Sequence, residues 1–264
     1  VYNAALTTFQ RQQLEGYLAR KWGLQGSLSS LTTFIPTQIS SCSMWMDAAD
    51  SSTLTTSAGA VTQWRDKSSN AYSFSNVGGT GVVYGSTTIN GLNTVTFPNG
   101  TTTYLQASTT ITIPATTRTT FFLIRHTSPV ANDYPDILQI SNATGGYIWG
   151  TLGPTNASPT VGNHILGVGG LGYAAPGVGS LAGVTFMVTH RRSAASTYSV
   201  NYNGSNLTLN ADITSTSYSN GTGFMGLRSK GFHTAELITY DTALTDSNIP
   251  VSYTHLRAHE TGRN

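Results

Sequence analysis

From Ser43 onward the chain runs in short alternating or apolar stretches, broken every few residues by Gly, Asn, Pro or Ser. Alternate residues of an extended strand share a face, so this punctuation predicts an all-β domain built from many short strands. The candidate strands are 43–46, 62–64, 94–97, 104–107, 119–126, 137–141, 147–151, 185–191, 197–202, 206–209, 223–227 and 234–240. Asn203-Gly204 stands between two of them and signals a type I′ hairpin, whose two central residues both need positive φ. Asn90-Gly91 and Asn99-Gly100 mark two further turns. Only residues 9–24 show another period. There Leu14, Tyr17, Leu18, Lys21 and Trp22 recur at three- and four-residue spacings with Gly23 at the end, predicting one amphipathic helix.

Charge is the other constraint. Charged residues make up 9% of the 264 positions, where roughly 25% is usual. A net charge of +2 cannot build the basic face that phosphate neutralisation needs, so nucleic acid is excluded as a partner. The single cysteine forms no intramolecular disulfide and no CxxC metal cluster. Ser and Thr supply 71 residues against three Lys and three Glu, a balance that favours strands and an uncharged outer surface, as on secreted proteins or virions. The longest uncharged apolar stretch, 165–188, is interrupted by glycines and Pro176, so no membrane insertion is expected.

Two motif matches carry no chemistry. Gly167-Val168-Gly169-Gly170-Leu171-Gly172 fits a dinucleotide fingerprint, but Pro176 and more glycines follow, so no helix starts there to hold a pyrophosphate. His255 and His259 with Glu260 reverse the order of a zincin motif.

The chain repeats itself once. Tyr2-Asn3-Ala4-Ala5-Leu6-Thr7 returns 238 residues later as Tyr240-Asp241-Thr242-Ala243-Leu244-Thr245. The helical pattern follows the first copy and not the second. The last residues, 251–264, resemble the translation of a sequencing-library adapter. The expected organisation is therefore the end of a preceding repeat at 1–25, a linker at 26–42, a sandwich at 43–250 lacking its terminal helix, and an artefact at 251–264.

Met44-Trp45-Met46-Asp47-Ala48-Ala49-Asp50, Gln63-Trp64-Arg65-Asp66-Lys67-Ser68, Asn90-Gly91-Leu92-Asn93-Thr94-Val95-Thr96-Phe97, the Tyr202-Asn203-Gly204 hairpin and Ala235-Glu236-Leu237-Ile238-Thr239-Tyr240 occur in this order. Together they resemble the laminin-G-like branch of the concanavalin A-like lectin/glucanase superfamily, of a type found as tandem repeats in marine viral or bacterial proteins. The resemblance implies an antiparallel two-sheet jelly-roll sandwich with one N-terminal α-helix. The chain departs from many relatives at Ser68-Ser69-Asn70-Ala71, where they read Ser-Gly-Asn-Gly, and at Pro98-Asn99-Gly100-Thr101, where they are Asp-rich.

The superfamily raises glycoside hydrolysis, which needs two carboxylates about 5–5.5 Å apart for retention or wider for inversion. Apart from Glu260, the only glutamates are Glu15 and Glu236, and no carboxylate follows Glu236 before Asp241, so catalysis is not expected. Asp47, Asp50 and Asp66 beside Trp45 and Trp64 are read as acceptors for turn N–H groups in preference to calcium ligands. Asp133 and Asp136 form the better calcium or glycan pair. Among the central aromatics Tyr134, Tyr147, Trp149 and Tyr173, the ligand-binding residues chosen are Asp133, Tyr134, Asp136 and Trp149. No cofactor is required, though calcium is admissible at Asp133 and Asp136. The expected partner is a surface glycan or a neighbouring repeat, met by an extracellular or virion-surface recognition module. The alternative is a structural spacer or virion decoration domain.

Overall fold

The computed structural model describes residues 35–98, 103–114, 117–126, 136–141, 164–165, 174–175, 183–194, 197–203, 205–206, 221–227 and 231–245. The predicted helix at 9–24, the strand at 147–151, the Asn99-Gly100 turn and the segment 251–264 lie outside these residues.

The described residues are almost entirely strand. The first half holds β1 (Cys42–Asp47), β2 (Leu54–Ser57), β3 (Ala60–Arg65), β4 (Ser73–Val77), β5 (Val83–Ile89), β6 (Leu92–Phe97), β7 (Tyr104–Ile111) and β8 (Arg118–His126). The second holds β9 (Asp136–Ser141), β10 (His164–Ile165), β11 (Ala174–Ala175), β12 (Thr185–Ala194), β13 (Thr197–Tyr202), β14 (Ser205–Asn206), β15 (Gly221–Leu227) and β16 (Phe232–Tyr240). Fourteen of these form one antiparallel sheet in the order β14-β13-β12-β8-β16-β6-β5-β3-β4-β7-β15-β9, with β1 on β16 and β2 on β3. Strands β10 and β11 pair separately.

The sheet curls so that its two halves face each other. Gly226 on β15 sits where a Cβ would strike the ring of Phe97 on β6, although these strands are not neighbours in the sheet. Between the halves lies the main core, with Met44, Met46, Trp64, Phe74, Val95, Phe97, Leu105, Phe122, Phe186 and Leu237 among its members. The Phe97 and Phe232 rings stack across β6 and β16 at 4.9 Å. The alternate positions of the central strands point outward into a second apolar cluster, which includes Trp45, Phe121, Leu123, Met187, Ile238 and Tyr240.

Strand β16 organises both. One edge pairs with β8 over its whole length. The other edge is shared: Phe232 to Thr234 pair with β6, and Glu236 to Tyr240 pair with β1. A register shift between Thr234 and Glu236 makes room for the change of partner. All nine of its residues are buried, His233, Thr234, Glu236 and Thr239 included.

The predicted turns match where they are described. Asn90 and Gly91 have φ of 53° and 80° between the paired residues Ile89 and Leu92. Asn203 has φ 47° between Tyr202 and Ser205. The sequence gives no hint of β2, β4 or β5, because their burial is shallow and their apolar alternation weak. Ala58 and Gly59, with φ of 49° and 82° between Ser57 and Ala60, make one more turn of the I′ kind from a residue that does not favour it. A left-handed alanine carries a backbone cost that asparagine relieves by local hydrogen bonding. Ala58→Asn is expected to stabilise the fold by about 1 kcal/mol, read as a higher urea midpoint at unchanged m-value.

Candidate functional site

The Trp45 region is the densest polar constellation among the described residues. Trp64, Asp66 and Ser68 belong to one motif, and each has a separate duty. Trp64 is fully buried in the main core. The Asp66 carboxylate accepts from the Trp45 backbone N–H at 2.6 Å, from the Ser68 N–H at 2.8 Å and hydroxyl at 2.6 Å, and from the Tyr72 N–H at 3.3 Å. Burial pushes its pKa above the ordinary aspartate value, and these donors hold back part of the rise. Ala71 in the same turn has φ 50°.

Lys67 closes the other side. Its ammonium lies 2.9 Å from Asp47 and 2.8 Å from Asp50, and 4.0 Å from the centroid of the Trp45 ring. Burial pulls the Lys67 pKa down, but the Asp50 and Asp47 carboxylates outweigh it and hold it above the ordinary value. Hydrogen bonds from Lys67 and Ser52 lower Asp50 to about 2. Asp47 also accepts from the Ala49 N–H, and Asp50 from the Ser52 N–H and hydroxyl. These aspartates thus serve as acceptors for turn donors and for one lysine. Among the described residues, no group of three or more His, Cys, Asp or Glu is arranged to hold a metal ion.

Glu236 has a neighbour that linear spacing concealed. Asp47 is its cross-strand partner on β1, so the two carboxyl-bearing residues share the outer face of the sheet. Both are buried, and Glu236 accepts a 2.6 Å hydrogen bond from the Trp45 indole N–H. The arrangement fixes the indole in place. A glycosidase pair needs one carboxyl open to the scissile bond, and this pair lies inside the packing.

A second polar cluster interrupts the inner face at the other end of the same strands. Arg118 on β8 lies opposite Arg192 on β12, and Thr120 lies opposite both His190 and Thr239. All five are buried. Arg118 donates to the Pro114 carbonyl at 3.2 Å, and Arg192 to the Ala194 carbonyl at 3.1 Å. Burial, reinforced by Arg118, lowers the His190 pKa to about 3. Sequence reasoning passed over this cluster. The signal was available, since Arg118 and Thr120 share the parity of the inward-facing Phe122 and Ile124, as His190 and Arg192 share that of Phe186 and Val188.

Of the ligand residues chosen from sequence, Asp133, Tyr134 and Trp149 lie outside the described residues, as does Tyr147. Asp136 opens β9, opposite Leu227 at the last strand of the sheet order. No described helix is long and apolar enough to cross a membrane, which leaves strand-built insertion unaddressed.

No protein-family model and no curated protein matches the chain. Solved structures do. One is the binding domain of botulinum neurotoxin DC in complex with rat synaptotagmin II, at 12% identity and TM-score 0.55, covering 82% of this chain and 52% of that one. Another is botulinum neurotoxin type C, whose cell entry depends on interaction with two ganglioside molecules, at 11% identity and TM-score 0.57, covering 82% and 51%. A third is the binding domain of Paraclostridial Mosquitocidal Protein 1, at 11% identity and TM-score 0.52, covering 82% and 52%. At these identities the likeness is one of fold, and the chain spans about half the length of the chains it resembles. By name, these neighbours include toxin binding domains.

The His190 geometry has a pH consequence. A histidine held neutral in the fold but free to protonate when unfolded contributes stability that is fully present above pH 6.5 and is lost as pH falls toward 3. Unfolding free energy is expected to drop by about 1.4 kcal/mol per pH unit on the acid side of 6.5 from this residue. Chemical denaturation across that window checks it, and His190→Gln should flatten the slope.

Proposed function

We propose that the chain is a non-catalytic recognition module that binds glycans at a cell or virion surface through residues displayed on a rigid sheet. The observation that carries this reading is the curled, antiparallel, all-β scaffold it has in common with toxin binding domains, one of them from a toxin that depends on gangliosides and another in complex with SialylT. Connecting segments on such a scaffold vary freely while the sheet stays fixed, which suits selective binding. The proposed fold is the laminin-G-like jelly-roll sandwich that the sequence motifs resemble, and the proposed context is a tandem array outside the cell or on a virion.

The proposed ligand residues are Asp133, Tyr134, Asp136 and Trp149. An aromatic ring offers a flat apolar surface to a sugar face, and short carboxylates accept from its hydroxyls or hold a bridging calcium. Engagement of the Glu236 carboxylate by the Trp45 indole supports binding without turnover.

A glycan array carrying ganglioside, sialylated and neutral oligosaccharides, probed with the full chain in calcium and in chelator, tests the proposal. Selective binding that Asp133→Ala or Tyr134→Ala reduces tenfold or more, about 1.4 kcal/mol or greater, is expected. Silence across the array would overturn it and favour a spacer domain.

A further inference from the structure

The outer face of the sheet is dry, yet the sheet itself does not cover it. Trp45, Phe121, Leu123, Met187, Ile238 and Tyr240 are at most 6% exposed and come from β1, β8, β12 and β16. The described residues outside the strands that join this cluster are Ile39 and Leu244. An apolar sheet face of this extent is stable in water only beneath a second layer.

We propose that residues 9–24 supply that layer, as an amphipathic helix with its Leu14, Tyr17, Leu18 and Trp22 stripe against this face. Three observations point to this segment. The stripe recurs at helical spacing, and a helix of that length runs about 24 Å, ample to cross the four strands, which at about 4.8 Å apart span roughly 14 Å. The described chain also emerges at this face. The Tyr240 hydroxyl donates to the Pro36 carbonyl at 3.3 Å, and Ile39 packs onto the cluster. The ten residues from 25 to 34 reach up to about 33 Å, enough to bring the segment across. Finally, the strand-end motif shows where such a helix would start. The Leu244 N–H donates to the Thr119 hydroxyl at 2.8 Å while its side chain sits in the cluster, and Leu6 holds the same place in the first copy, just ahead of the helical pattern.

Cys42, the chain's single cysteine, is a built-in reporter because it lies in this cluster and is buried. Iodoacetamide labelling of the full chain, followed by mass spectrometry, reads its cover directly. Slow labelling is expected in the unmodified chain and in a Gln12→Asp control on the opposite helix face. The Leu14→Asp/Leu18→Asp variant should label at least about tenfold faster while keeping its β-type circular dichroism. An unchanged rate in that folded variant would overturn the proposal, as would acceleration by Ile249→Asp in its place. Should the double variant fail to fold, hydrogen exchange of the unmodified chain decides: protected amides across 9–24 support the helix, and exchange within seconds overturns it.

Discussion

The Asp66 carboxylate is the interaction on which the rest of the structure depends. It is one side chain, yet it accepts from the backbone of β1, from the turn after β3 and from Tyr72 just before β4. Those bonds set where β1 lies, and β1 supplies half of one edge of β16. A buried carboxylate that loses its donors is costly, and donors that lose a buried carboxylate are equally so, which makes the arrangement intolerant of small displacements. Trp45 then passes the constraint outward, since its indole reaches Glu236 and its ring carries Lys67.

From that anchor the two apolar clusters follow. Alternate residues of β1, β8, β12 and β16 face inward to the main core and outward to the second cluster, so each of these strands works in both layers. Among the polar residues in this double packing are three organised groups: the Asp66 turn, the Asp47 and Glu236 pair, and the buried Arg118, His190 and Arg192 cluster. Rigidity at the centre leaves variation to the connections, and a recognition module of the kind proposed needs that division.

How much of this was legible in the sequence depends on range. Strands with unbroken apolar runs, such as β8 and β12, stood out, and so did Asn90-Gly91, because short-range chemistry alone dictates them. The turn at Ala58 did not, since alanine advertises no left-handed conformation. The acceptor role of Asp66 could be anticipated from motif and turn chemistry. The pairing of Asp47 with Glu236 could not, because it is created by strand register between distant segments. The Arg118 and Arg192 pair lies between these cases: parity on each strand was readable, whereas their juxtaposition required the topology.

The most direct test of this account compares two aspartates in one neighbourhood by urea unfolding. Asp50 is partly exposed and pairs with Lys67, a setting in which ion pairs contribute at most about 1 kcal/mol. Asp66 is buried among donors, so Asp66→Ala is predicted to cost about 3 kcal/mol or more, against no more than about 1 for Asp50→Ala. Equal and small losses from the two substitutions would contradict the central place given to the Asp66 carboxylate.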